Sequence, residues 1–139
     1  MKPTVAVDLD GVLARYYGWR GVDHIGEPLP GAVDFTKRLS EWAHVLVFTC
    51  RVNARLQSVP DQGIDDLYYK VMNWLKKHEF KYNEIYVGQG KPLAVAYIDD
   101  RAVPCTPQRQ LLTSMVYREA EDLARDLAER EKAESHNNG

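Results

Sequence analysis

The chain has 139 residues, of which 45% are hydrophobic and 27% are charged, a composition typical of one globular domain with a single core. Its 18 basic and 20 acidic residues leave a net charge of −2, which argues against a surface that binds polyanions over its whole extent. Only two cysteines occur, so we expect no disulfide framework. No apolar run approaches the roughly 20 residues of a membrane helix, and no signal-peptide pattern opens the chain. We therefore expect a cytoplasmic protein without membrane contact.

The first half of the chain alternates between short apolar runs and amphipathic segments. Residues 4–9 and 44–49 are β-branched runs without a polar alternation, as expected of buried parallel strands. Between them, Pro30 and Gly31 open a segment whose apolar residues recur at spacings of three and four, which predicts a helix. The glycine-rich and aromatic stretch over 11–29 is predicted to be a functional loop, since loops of this length inside compact domains usually have a function.

The second half continues this alternation. It predicts a turn-rich stretch, a helix, two strands and a last helix, at residues 58–63, 64–77, 84–87, 94–98 and 116–127. The polar tail over 130–139 is expected to be frayed. Strands that alternate with helices indicate an α/β fold with a mostly parallel sheet, and we expect a single domain over 1–129.

Polar side chains follow most of the predicted strands, at the edge where ligands bind to open α/β sheets. They include Asp8, Asp10, Thr49, Arg51, Asp99 and Asp100, with Lys91 shortly after the third strand. Carboxylates that cluster in this way repel one another unless a cation neutralises them. Hard oxygen ligands select Mg²⁺, which also takes water and phosphate oxygens as ligands. The sequence therefore predicts a magnesium site at this edge of the sheet.

The neighbouring groups suit phosphate chemistry. Lys91 offers a point charge for phosphate oxygens, and Thr49 offers a neutral hydrogen-bond donor. An aspartate beside such groups can act as a covalent nucleophile in phosphoryl transfer.

The order of these clusters resembles that of the haloacid dehalogenase (HAD) superfamily. Residues 8–12, Asp-Leu-Asp-Gly-Val, resemble its first motif, and Thr49 after Phe48 resembles the second. Lys91 is similar to the third motif and the pair over 99–100 to the fourth, so the resemblance extends over residues 8–100. The strings over 25–31 and 97–101 are most similar to small capless members of bacterial or phage type. The resemblance implies a three-layer, Rossmann-like sandwich without a separate cap domain, because the intervals after the first two motifs are too short to hold one.

The resemblance also implies a role for each matching residue. Asp8 would be the nucleophile, and Asp10 the general acid and base, with a backbone carbonyl that binds Mg²⁺. Thr49 and Lys91 would hold the phosphoryl group, while Asp99 and Asp100 would complete the metal site. The implied activity is Mg²⁺-dependent hydrolysis of phosphomonoesters through an aspartyl-phosphate.

Several alternatives stay open at this point. Many phosphatases of the family have threonine where this chain has Val12, so the substrate class is open: nucleotides, nucleic-acid ends and sugar phosphates all qualify. A nucleotide-specific nucleotidase or phosphotransferase would use the same residues, and a non-catalytic protein that binds a phosphorylated ligand would use the same scaffold. Arg51 either binds a substrate anion or pairs with a carboxylate. Asp100 either contacts the metal or forms a salt bridge to a neighbouring arginine.

The loop over 11–29 is the part of the chain placed to select a substrate. It carries Tyr16, Tyr17, Trp19 and Arg20, and aromatic faces beside a phosphate site can stack on a base. We therefore predict that Trp19 binds substrate and that the loop acts as a short lid. The alternative is that these aromatic side chains pack inward and anchor the loop. The charged face of the last helix is either solvated or the contact surface of a homo-oligomer.

Overall fold

The computed structural model describes residues 1–52, 64–105 and 114–137. The predicted turn-rich stretch over 58–63 lies outside these residues. The chain divides into two compact units, of which the first comprises residues 1–16 and 20–100 and the second residues 17–19 and 101–139. The prediction of one domain over 1–129 stays a prediction.

The first unit contains a four-stranded parallel sheet. Its strands are β1 (Thr4–Asp8), β2 (His44–Phe48), β3 (Glu84–Ile85) and β4 (Ala96–Ile98), in the spatial order β3-β2-β1-β4. This is the order in which a doubly wound Rossmann-like sheet begins. The predicted α/β fold with a parallel Rossmann-like sheet is thus confirmed. The strands β3 and β4 are shorter than predicted, since β3 ends at Ile85 and β4 begins at Ala96.

Two helices of the first unit connect these strands. Helix α1 spans Ala32–Ser40 and begins after Gly31, which adopts a φ of 81°. Helix α2 spans Ile64–Lys77 and ends in two lysines, which interact favourably with the negative end of the helix dipole. A short 3-10 turn over Cys50–Val52 follows β2. Both predicted helices are confirmed.

The core of the first unit lies on one face of the sheet. Val5, Val7, Val45 and Val47 alternate along β1 and β2 and form a buried cluster with side chains from both helices, among them Leu39, Val71 and Leu75. The opposite face is buried as well, with Ala6 at 0% and Leu46 at 3% exposure. Burial on both faces explains why these strands read as continuous apolar runs.

The second unit contains helix α3, which spans Ser114–Asn137. It extends beyond the predicted 116–127, and residues 130–137 are helical where the sequence predicted a frayed tail. The reason is that residues 130–134 are arginine, glutamate, lysine, alanine and glutamate, all of which favour helices. Ion pairs between residues four apart, such as Arg130 with Asp126, add to this preference. In the part of the chain that the structure describes, no helix is long and apolar enough to cross a membrane.

Candidate active site

Three carboxylates meet at the carboxyl edge of β1 and β4. Asp8 ends β1, and Asp99 and Asp100 directly follow β4, its parallel neighbour, in which Ile98 is paired with Val7. One carboxylate oxygen from each of the three aspartates lies within 4.8 Å of the others. The structure therefore brings together Asp8, Asp99 and Asp100, as predicted from the strand ends, and we call them the acidic cluster.

The environment of Asp8 disfavours its charge. Burial raises the pKa of Asp8 to about 7, the hydrogen bond from the Leu9 backbone N–H opposes this rise, and the nearby carboxylates add to it. The Leu9 N–H donates to Oδ1 of Asp8 over 2.8 Å. A carboxylate so desolvated and surrounded by like charge gains from a cation that neutralises the cluster. Three converging carboxylate oxygens are the donor set that hard divalent cations prefer, so the acidic cluster fits such an ion.

Gly11 allows Asp100 to join the acidic cluster. Its φ is +88°, and a Cβ atom at this position would lie 2.4 Å from Oδ2 of Asp100. Any other residue would be strained by the positive φ and would also push the Asp100 carboxylate away. The glycine after Asp10 is therefore required by the site as well as by the turn.

We expect Gly11→Ala to destabilise the protein and to weaken metal binding. Backbone strain of this kind costs about 1–3 kcal/mol. Displacement of the Asp100 carboxylate would also remove a metal ligand from the acidic cluster. Gly21→Ala is a matched control, because Gly21 has a φ of +95° and nothing lies within 4 Å of its added Cβ. Thermal unfolding and Mg²⁺ titration check both variants. Equal Mg²⁺ affinity in the two variants would contradict the role assigned to Gly11.

The Asp10 carboxylate does not belong to the acidic cluster. Arg51 binds it at both oxygens, with Nε to Oδ2 at 2.8 Å and a terminal nitrogen to Oδ1 at 3.0 Å. The Arg51 side chain is only 6% exposed, and it also donates to the backbone carbonyl of His24 over 2.8 Å. Of the two roles predicted for Arg51, the structure thus shows pairing with a carboxylate. Two-point pairing of this kind holds both side chains in a fixed orientation.

Thr49 lies at the start of the short turn that presents Arg51. It is 6% exposed, and its hydroxyl oxygen accepts a hydrogen bond of 3.2 Å from the Arg51 backbone N–H. The hydroxyl hydrogen stays available for a ligand, because in this bond the oxygen is the acceptor. Thr49 therefore sits where the sequence predicted it, at the carboxyl end of β2.

Lys91 is exposed and lies against the ring of Tyr97, a residue to which the sequence pattern assigns no role. Its ammonium is 4.2 Å from the centroid of the Tyr97 ring. Gly90, the preceding residue, has a φ of 79°, and Pro92 follows. Tyr97 lies in β4, two residues before Asp99. This position indicates a contact with Lys91 only when the strand register is known.

Residues 23–29 of the loop over 11–29 attach it to the first unit. Backbone hydrogen bonds join Arg15 to Glu27 and Leu29 to Leu13, and the Trp74 indole donates to the Gly26 carbonyl over 3.1 Å. An ion pair also joins Asp23 to Lys70 on α2. This part of the loop is therefore attached to the first unit at several points. Trp19 is 57% exposed and belongs to the second unit, and its role in substrate binding stays a prediction.

Comparison with known proteins adds little to this description. No family model matches the chain, and no curated protein matches it. One solved structure, that of an MCSG target from Vibrio cholerae, is 22% identical, with a TM-score of 0.46 over 88% of this chain and 98% of that chain. A likeness at this level carries no argument about function.

Proposed function

We propose that the protein is a Mg²⁺-dependent phosphomonoester hydrolase of the HAD type, with Asp8 as the covalent nucleophile. The observation that carries this proposal is the acidic cluster: three carboxylate oxygens within 4.8 Å of one another at the ends of two neighbouring parallel strands. The order of the four motifs along the chain, to which Thr49 and Lys91 also belong, supports the same proposal.

The acidic cluster and the backbone carbonyl of Asp10 would hold the Mg²⁺ ion. When bound, it would neutralise the cluster and offset the negative charge of the substrate phosphate. Ionised Asp8 is the form that can attack phosphorus, and a bound cation would favour this form against the burial and like charge that raise the pKa of Asp8 to about 7 in the metal-free protein. Thr49 and Lys91 would bind the oxygens of the phosphoryl group that is transferred.

The proposed reaction has two steps. First, an Asp8 carboxylate oxygen bonds to phosphorus, the bond to the leaving oxygen breaks, and that oxygen takes a proton from Asp10. Then Asp10 removes a proton from water, whose oxygen bonds to phosphorus and releases inorganic phosphate and Asp8. The two-point pair between Asp10 and Arg51 occupies both carboxylate oxygens. Each carboxylate oxygen has a second lone pair, so Asp10 can exchange a proton with a substrate while the pair with Arg51 orients it.

We expect Asp10→Asn to slow the hydrolysis of alkyl phosphates far more than that of aryl phosphates. General acid catalysis contributes about 10²–10⁴-fold, and an aryl oxide needs little protonation to leave. Measured under single-turnover conditions, the first step should show this difference between the two substrate types. Equal losses on both substrates would contradict the assignment of Asp10 as the leaving-group acid.

A substrate panel tests the proposed function. Nucleotides, sugar phosphates and 3′-phosphorylated DNA are incubated with the protein and Mg²⁺, and the release of inorganic phosphate is measured. We expect release from at least one class. Transfer of phosphate to an added alcohol in preference to water would identify a phosphotransferase, and binding without turnover of any substrate would identify a binding protein.

A further inference from the structure

The Lys91 ammonium lies against the side chain of Tyr97 in β4. The Tyr97 ring lies beneath the ammonium, 4.2 Å from centroid to nitrogen. The Tyr97 hydroxyl donates a hydrogen bond of 2.5 Å to the backbone carbonyl of Pro92, the residue that follows Lys91. One tyrosine therefore contacts both the charged end of the lysine side chain and the backbone next to it.

The orientation of the Tyr97 ring is fixed by the sheet. Phe48 meets it edge to face, with centroids 6.4 Å apart and planes at 89°. This is a favourable geometry for an aromatic pair. Phe48 ends β2, and Tyr97 lies in the middle of β4, so both rings are carried by parallel strands of the same sheet.

The same register places Tyr97 on the face of the sheet that carries the nucleophile. Tyr97 is paired with Ala6, and Phe48 is paired with Asp8. Side chains two residues apart on a strand share a face, so Asp8 shares the face of Ala6 and Tyr97. The Lys91 ammonium, which lies against the Tyr97 ring, is therefore on the same side of the sheet as the Asp8 side chain.

We propose that Tyr97 is a positioning residue that sets the place of the Lys91 ammonium before the substrate phosphate binds. The inference rests on the proposed function, in which Lys91 binds the phosphoryl group. An aromatic face attracts an ammonium and leaves its N–H groups directed outward. Without the ring, a lysine between Gly90 and Pro92 would sample many rotamers, and each substrate would have to order it.

Three variants separate the two contacts of Tyr97. Tyr97→Leu removes the ring and the hydroxyl, and we expect kcat/KM to fall about tenfold. Tyr97→Phe keeps the ring, and we expect it to stay within about threefold of the wild type. Tyr86→Phe is the matched control, because the Tyr86 hydroxyl donates to the Gln89 carbonyl over 3.1 Å without contact to Lys91, and we expect no change from it.

A positioning role predicts an effect that depends on Lys91. In a Lys91→Met background, Tyr97→Leu should have no further effect on the turnover of an aryl phosphate, whereas a merely structural role would give the same loss in both backgrounds. The NMR signals of the Lys91 ε-methylene group should show the shift caused by the ring in the wild type and in Tyr97→Phe, and should lose it in Tyr97→Leu. Additive losses, or an unchanged methylene signal, would overturn the proposal.

A failure of the proposed function can be told apart from a failure of this inference. If the wild type hydrolyses no phosphomonoester, the proposed function is wrong, and the inference is then judged by calorimetric binding of inorganic phosphate in the presence of Mg²⁺. Weaker binding by about tenfold in Tyr97→Leu, with wild-type affinity in Tyr97→Phe, would uphold it. Equal affinity in Tyr97→Leu and the wild type, or binding by neither, would overturn it.

Discussion

Asp8→Asn is expected to abolish turnover and, at the same time, to raise the stability of the metal-free protein above neutral pH. Turnover is lost because the amide lacks the carboxylate oxygen that attacks phosphorus. Stability rises because the pKa of Asp8 is raised to about 7 in the folded state by burial and by its acidic neighbours. The folded protein therefore carries an unfavourable charge at this position above neutral pH, and the asparagine removes it.

The direction of the pH dependence follows from the two states of Asp8. In the unfolded chain it loses its proton near the ordinary pKa of 3.8, while in the folded protein it keeps the proton until about 7. Between these values the folded state binds more protons, so the stability of the metal-free protein falls as the pH rises through this window. The gain from Asp8→Asn should be absent below about pH 4 and on the order of a few kcal/mol at about pH 8.

Thermal unfolding in the presence of a chelator, from about pH 4 to about pH 8, measures this gain. Asp34→Asn is the matched control, because Asp34 is an exposed aspartate in the first turn of α1, and we expect no gain from it. A wild-type protein that is as stable as Asp8→Asn at the upper end of this range would contradict the electrostatics described for the acidic cluster.

Removal of the metal is expected to abolish turnover, and Mg²⁺ is expected to restore it. Addition of Mg²⁺ should also stabilise the folded wild type at about pH 8, by about 2.7 kcal/mol when the ion is at 100 times its dissociation constant. Asp99→Asn should lower the Mg²⁺ affinity, because it removes one of the three converging carboxylates. Titration followed by thermal shift measures both effects.

Glu84, a carboxylate at the opposite edge of the sheet, provides the control for Asp99. Glu84 begins β3 and pairs with His44 over 2.9 Å, so Glu84→Gln changes a charge at the amino edge of the sheet. We expect it to leave the Mg²⁺ affinity unchanged. Activity that survives the chelator, or equal losses of affinity in Asp99→Asn and Glu84→Gln, would contradict a metal site in the acidic cluster.

The meeting of Asp8 with Asp99 and Asp100 could be predicted from the sequence for a simple physical reason. Parallel strands place their carboxyl ends at one edge, and polar residues that directly follow apolar runs must lie there. Whether β1 and β4 are neighbours decides how close the carboxylates come. That neighbourhood depends on the strand order, which the sequence pattern alone does not contain.

The contacts of Arg51 and Lys91 could not be predicted in the same way. Both side chains are long, and each extends from a turn or a loop. The path of the backbone there determines which groups the charged end can reach. The sequence allows two partners for Arg51, a substrate anion or a carboxylate. The turn after β2 places the Arg51 side chain against Asp10. Tyr97 lies at an alternating position in a strand, and its contact with Lys91 depends on the path of the chain between Gly90 and β4.

The extended α3 illustrates a different limit. A polar tail with almost no apolar residues predicts fraying, since it has no apolar face to bury. The structure shows a helix through Asn137, because local helix propensity and pairs such as Arg130 with Asp126 act without a core.

The most direct test of the central claim is to detect phosphate on Asp8. Asp10→Asn is mixed with Mg²⁺ and an aryl phosphate, a combination in which the first step proceeds and hydrolysis of the intermediate is slowed. The reaction is quenched in acid and the protein is digested for mass spectrometry. We expect one phosphoryl group on the peptide that contains Asp8, and none when Asp8 is also replaced by asparagine. Turnover of substrate with the phosphoryl group on another residue, or with no labelled protein at any time point, would contradict the mechanism.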